Sequence, residues 1–283
     1  MKYLLTLLMT IMLPITGLCS DERIEWYYAD FPPCTIARGE SKGSGFGDMV
    51  MKTLQTNLHE YEHTSFEANF SRIIKQLGIS NGCCVTLLKT PARKKILEFS
   101  QPVIVGLPCG VCILESRLAE FKPFIDKSGY ISINRLFEES DMKMGISSGR
   151  KYMKAVDDII TRAPNSPKII KSHDKNVSRE HIIALAAGRR VDYVIEYPEV
   201  LSWISTHENI TNKMKYIPIR EADDYIVAYV GCTKNAWGKR VINRINTIIN
   251  NKYLEGCKER YQDFLAPEDI KRHNEFAAEV FPE

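Results

Sequence analysis

The chain has 283 residues, 44% of them hydrophobic and 26% charged, which is ordinary globular usage and excludes a fibrous or disordered protein. Its formal net charge is +3, with acids and bases mixed along the chain, so it presents no field for nucleic acid. The length is enough for one large domain or two smaller lobes with real cores.

Taken in chain order, the first predicted element is a cleavable secretory signal peptide over residues 1–20. Lys2 precedes an apolar run over 3–13, Pro14 and Gly17 break it, and small residues stand before Asp21. A transmembrane anchor would need roughly twenty apolar residues. Leu18 is not the small residue that a lipid-modified Cys19 would require before it, so a soluble periplasmic protein is expected.

A strand over 23–28 follows, ended by Pro32-Pro33. Asp48 reads as the N-cap of a helix with Met51, Leu54 and Leu58 on one face. Phe70, Ile73, Ile74 and Leu77 repeat the helical spacing before Gly78, then come a strand over 83–88 and one long strand-like stretch over 102–114. The same alternation restarts with a helix over 134–139, a strand over 142–146 and a helix over 152–161. Further strands at 168–171 and 191–196 alternate with helices at 179–187 and 199–205. A strand at 225–230 and helices at 237–250 and 252–265 close the chain. This is α/β architecture with largely parallel sheets. The expected organisation is a discontinuous first lobe, 21–115 plus 222–283, and a second lobe, 116–221, with a hinge and a cleft between them.

Eight cysteines occur, at 19, 34, 83, 84, 109, 112, 232 and 257, and removal of Cys19 with the signal leaves an odd number. Cys109-Gly110-Val111-Cys112 has metal-like spacing, but with no nearby histidine or second such pair it reads as inert or disulfide-bonded. Cys232 and Cys257 bracket one helical segment and are the favoured disulfide candidates. No metal site or cofactor is indicated.

Several segments together resemble the family 3 extracellular solute-binding proteins, periplasmic receptors that deliver polar amino acids and related solutes to ABC transporters. They are Asp30-Phe31-Pro32-Pro33, Lys89-Thr90-Pro91-Ala92-Arg93 with Phe99-Ser100-Gln101-Pro102, Gly145-Ile146-Ser147-Ser148-Gly149, and the run 188–196. The resemblance implies a two-lobed, type II periplasmic-binding fold. It implies that Arg93 holds a ligand carboxylate through paired hydrogen bonds, that Phe31 walls the ligand, and that the segment after Gly149 receives an anion. Glu196 approximates the acid that holds a ligand amino group, one position short of the family spacing, with Tyr197 at the expected place. Two further departures are Arg150-Lys151 where hydroxyl residues usually stand, and Leu88 in place of a hydroxyl that Thr86 and Thr90 replace only in part. The two cations indicate either a ligand more anionic than a plain amino acid or side chains turned to solvent.

The expected function is a non-catalytic, monomeric receptor closing around a small polar or anionic, amino-acid-like solute. An enzyme of dehydratase type on the same fold is the alternative, with Glu196 as acid or base, although the six histidines form no metal-spaced motif. The partner is then either an ABC transporter permease or a membrane sensor.

Overall fold

The computed structural model describes residues 23–147, 150–172, 177–188 and 190–281; the predicted signal segment, Cys19 and Gly149 lie outside them. The chain begins with β1 (Arg23–Tyr28), α1 (Phe46–Asn57), β2 (Glu62–Glu67), α2 (Phe70–Leu77), β3 (Gly82–Leu88), α3 (Pro91–Lys94) and β4 (Leu97–Gly106). It then runs through β5 (Gly110–Leu114), α4 (Leu118–Phe121), α5 (Ile133–Glu139), β6 (Met144–Ser147), α6 (Lys154–Arg162), β7 (Ile169–Ser172), α7 (Val177–Ala186), β8 (Tyr193–Glu196), α8 (Pro198–His207) and β9 (Met214–Ile217). It ends with β10 (Ile226–Thr233), α9 (Ala236–Ile248), α10 (Asn251–Gln262) and α11 (Pro267–Val280).

Two five-stranded sheets result, in the orders β2-β1-β3-β10-β4 and β7-β6-β8-β5-β9. They share one plan. In each, the first three strands named are mutually parallel, and the fourth is antiparallel to both its neighbours. That fourth strand is the one that has just crossed from the other sheet: β5 arrives after 107–109, and β10 after 218–225. The stretch 102–114 is therefore not one strand, and β5 belongs to the second sheet although the expected lobe boundary fell at 115. Pro108, which has no N–H to give a ladder, stands at the crossing. Apolar residues continue on both sides of it, so hydropathy alone gave no break.

Each sheet is covered on both faces, and side chains alternate between two apolar clusters. On β3, Cys83 joins the cluster of Trp26, Val50 and Leu54, and Cys84 that of Ile73 and Leu77. On β5, Val111 and Ile113 join Phe121 and Tyr193, whereas Cys112 faces Ile182 and Leu185. Cys109 lies in the first of these two clusters, so the Cys-x-x-Cys pair is divided between opposite faces and both thiols are free.

Asp48 is not the N-cap of α1. Gly45 holds that place, where a Cβ would collide with the Cys34 carbonyl, and the buried Asp48 carboxylate accepts from the Gly45 and Ile36 N–H groups at 3.0 and 2.9 Å. The disulfide expectation is also corrected. Cys232 bonds to Cys83, its antiparallel partner on β3, with 4.1 Å between Cα atoms, and Cys257 is a buried free thiol in α10. Cross-strand register, not helical spacing, selects the pair.

The bond closes a separation of 149 residues, so Cys83→Ser or Cys232→Ser should lower stability by about 3–5 kcal/mol. Thermal melts with and without reductant would measure the loss, and non-reducing peptide mapping should recover Cys83 linked to Cys232 with Cys257 unlinked.

Candidate functional site

In open α/β sheets the carboxyl ends of the strands, where strand order reverses, form the natural crevice. In the first sheet these are the ends of β1 and β3, which lead to Phe31 and Arg93; in the second they are the ends of β6 and β8, which lead to Arg150 and to Glu196-Tyr197. The two crevices meet. The half-buried Phe31 ring stands edge-on to Phe70 of its own lobe at 6.1 Å and to Tyr197 of the other at 6.5 Å.

Thr86 occupies a strained position on the first side. Two residues of β3, Val85 and Thr86, lie opposite Val230 alone, which is a β-bulge, and Thr86 takes φ +56°, rare for a β-branched residue. Its hydroxyl donates to the Val85 carbonyl at 2.8 Å and lies 3.2 Å from the Cys34 thiol. Thr90 caps α3, accepting from the Arg93 N–H at 3.3 Å. Both hydroxyls are thus engaged by the chain itself. Arg93 turns its guanidinium back to the Leu88 carbonyl at 2.9 Å, and among the described residues no carboxylate pairs with it, Glu98 included. Burial lowers its pKa below the ordinary arginine value, and Tyr197 across the cleft is within electrostatic reach.

On the second side the two cations after Gly149 part company. Lys151 is solvent-exposed, 3.9 Å from Asp157. Arg150 turns inward and forms a forked pair with Glu196, at 2.6 and 2.8 Å. Its guanidinium also reaches the Ser178 hydroxyl at 3.3 Å and the Cys109 sulfur at 3.6 Å, and lies 4.9 and 5.6 Å from the Tyr152 and Tyr197 ring centroids. Glu196, only 2% exposed, accepts in addition from the Ser178 hydroxyl and from the Tyr197 N–H at 3.0 Å. Burial alone would raise its pKa; the Arg150 charge, with the hydrogen bonds from Arg150, Ser178 and Tyr197, outweighs this and holds it below the ordinary carboxylate value. The void beside this group, lined by Tyr152, Ser178, His181 and Glu196, measures about 10 Å³, room for one water.

Sequence reasoning missed Tyr152, Ser178 and Glu199, and discounted Cys109. Ser178 lies 18 residues from Glu196 with no motif to join them. Glu199, in the first turn of α8, reads as an ordinary helix-end acid, yet it is 5% exposed and accepts from the Tyr261 hydroxyl of α10 at 3.0 Å. Tyr261 in turn accepts from the Leu107 N–H at 2.9 Å, so this chain of bonds links α8 of the second lobe to the first lobe beside the crossing. Burial pushes the Glu199 pKa up to about 8 and the Cys109 thiol up to about 12. Among the described residues no cluster of histidine, cysteine or acids could hold a metal ion, and no helix is long and apolar enough to cross a membrane.

The class of protein that this arrangement defines is the two-lobed periplasmic-binding fold. No family model and no curated protein matches the chain. Among solved structures it is similar to a probable amino-acid ABC transporter extracellular-binding protein of Bacillus subtilis, at 16% identity and TM-score 0.62, over 87% of this chain and 98% of that one. A putative L-cystine ABC transporter protein of Listeria monocytogenes gives 17% and 0.60, over 88% and 97%. The periplasmic VFT2 domain of Bordetella pertussis BvgS gives 15% and 0.57, over 84% and 92%. At such identities the likeness is one of fold.

Glu199 has a pKa of about 8 in the folded chain against an ordinary 4.5, so its contribution to stability is full below 4.5 and is lost as pH rises through 8. Glu199→Gln, which keeps a neutral acceptor for Tyr261, should therefore melt higher than the parent at about pH 8, by on the order of 2–4 kcal/mol, and differ little at about pH 4. Scanning calorimetry across that range measures it; parallel pH profiles would refute the assignment.

Proposed function

We propose that the chain is a non-catalytic receptor that captures a small polar or anionic solute between its two lobes and presents it to a membrane partner. The observation that carries this reading is Arg93: a half-buried guanidinium at the carboxyl end of β3, facing the second lobe, with no carboxylate partner among the described residues. Such a fork is suited to a carboxylate held by two parallel hydrogen bonds. Phe31 and Tyr197 supply apolar walls from the two sides.

Several features support the surroundings of this reading. The apolar segment after Lys2 and the Cys83–Cys232 bond both suit export to an oxidising, periplasmic compartment. The lobes are taken as 21–109 with 222–283, and 110–221, so that β5 stays with its sheet. A receptor is favoured over an enzyme because Glu196 is tied to Arg150 and the Cys109 thiol is held protonated, so neither is a ready base or nucleophile. The partner is a transporter permease or a membrane sensor. The fold is similar both to proteins named for amino-acid ABC transport and to a histidine kinase sensor domain, the latter at 10% identity and TM-score 0.55.

A thermal-shift screen of amino acids and small carboxylic acids should find a stabilising ligand. Arg93→Ala should then weaken its binding by about 2–3 kcal/mol, roughly 30- to 150-fold, in calorimetry. Unchanged affinity would remove Arg93 from the site and with it this reading.

A further inference from the structure

We infer that Arg150 is a built-in occupant of the buried anionic position that Glu196 provides beside the cleft, so that the solute is a small carboxylate or similar anion bearing no ammonium group, in preference to an amino acid. The inference rests on the reading of the cleft as a solute site.

Asp30, Asp48, Glu196 and Glu199 are the acids nearest to Phe31 and Tyr197 in the chain or by contact, and each is engaged within the protein. An ammonium group brought into a protected site needs an ionised acceptor, because burying an unpaired charge is costly. Glu196 would be that acceptor, but both its oxygens are taken by the Arg150 fork and one also by Ser178. The guanidinium is boxed by Tyr152 and Tyr197, an arrangement that suits a fixed cation. The remaining void of about 10 Å³ admits water and no solute group. Asp30, beside Phe31, is held by Arg38 at 2.6 Å and by the Ala37 N–H at 3.0 Å. Asp48 is turned into its own lobe to satisfy Gly45 and Ile36. Glu199 is closed off by Tyr261.

Against these satisfied acids stand cations that are not matched. Arg93 is met by a backbone carbonyl, Lys89, at the same end of β3, lies over the Tyr229 ring at 4.9 Å, and among the described residues neither has a carboxylate partner. The charge left for a ligand to answer is positive on the first side and already neutral on the second. Two oxygens of an acid fit that balance, and an additional ammonium finds no counter-charge.

Two measurements on the full chain test this. Calorimetric titration of the parent protein with matched pairs, 2-oxoglutarate against glutamate, pyruvate against alanine and succinate against aspartate, should show the acid lacking nitrogen binding at least about tenfold tighter in any pair that binds. An amino acid bound tenfold tighter than its partner overturns the inference while leaving the receptor reading intact. In the second measurement Arg150→Ala opens the Glu196 position. Millimolar methylguanidinium should raise the melting temperature of this variant by several degrees, and should raise neither the parent nor Arg150→Ala combined with Glu196→Gln. No such rise in the single variant overturns the inference whatever acids bind. A rise with no acid bound in the titration leaves the filled position standing and counts against the receptor reading instead. The titration of the parent does not require the variant to fold.

Discussion

The two strands that run against their neighbours are the constraint on which the rest of the molecule depends. A parallel sheet leaves the carboxyl ends of its strands at one edge. For two such edges to face each other on one chain, the chain must leave the first sheet and come back, and each passage delivers a strand in the opposed direction. β5 and β10 are these strands, and each is wedged between parallel ones. Phe31 of the first lobe meets Tyr197 of the second because the crossings hold the two edges opposite each other. The Tyr261 hydroxyl, between the Leu107 N–H and Glu199, fastens one passage where it leaves the first sheet.

Glu196 and Glu199 show how local surroundings decide what a buried carboxylate does. Both are almost fully enclosed and stand three residues apart. Glu196 is met by a guanidinium and a hydroxyl and stays ionised; Glu199 is met by one phenol and, among the described residues, by no cation, and burial pushes it toward the neutral form. One therefore acts as a fixed negative charge within the second lobe. The other serves as a nearly neutral link between lobes.

Much of the fold was legible in the sequence where burial and periodicity agree. β1 is the apolar alternation of Ile24 and Trp26, and α2 ends as expected at Gly78, while its start at Asn69, whose side chain caps it, is a finding of the structure. Some of what escaped notice was polar, and some uniformly apolar. β2, Glu62–Glu67, is an edge strand with no fully buried residue, and α11 buries only Asp269, His273 and Ala277 behind its first-turn proline. Within 102–114, by contrast, every stretch is apolar enough for a strand, so the passage between sheets left no mark. At the candidate site, what was readable is the place of Arg93, Phe31 and Glu196 at or just after strand ends, because the strands that precede them are apolar runs. The Arg150–Glu196 pair was not, since 46 residues separate its members and only the parallel pairing of β6 with β8 brings their loops together.

The Cys83–Cys232 bond gives the second lobe an unusual standing in the chain. Every residue from 84 to 231 lies on a covalently closed loop that starts and finishes at adjacent points of the first sheet. The whole second sheet is thus an excursion from a sealed base. A single break in its backbone, at a surface loop or at the crossings, would open the ring without parting the protein into two pieces. Covalent integrity is concentrated at the base, and the outlying lobe remains free to tolerate a cut.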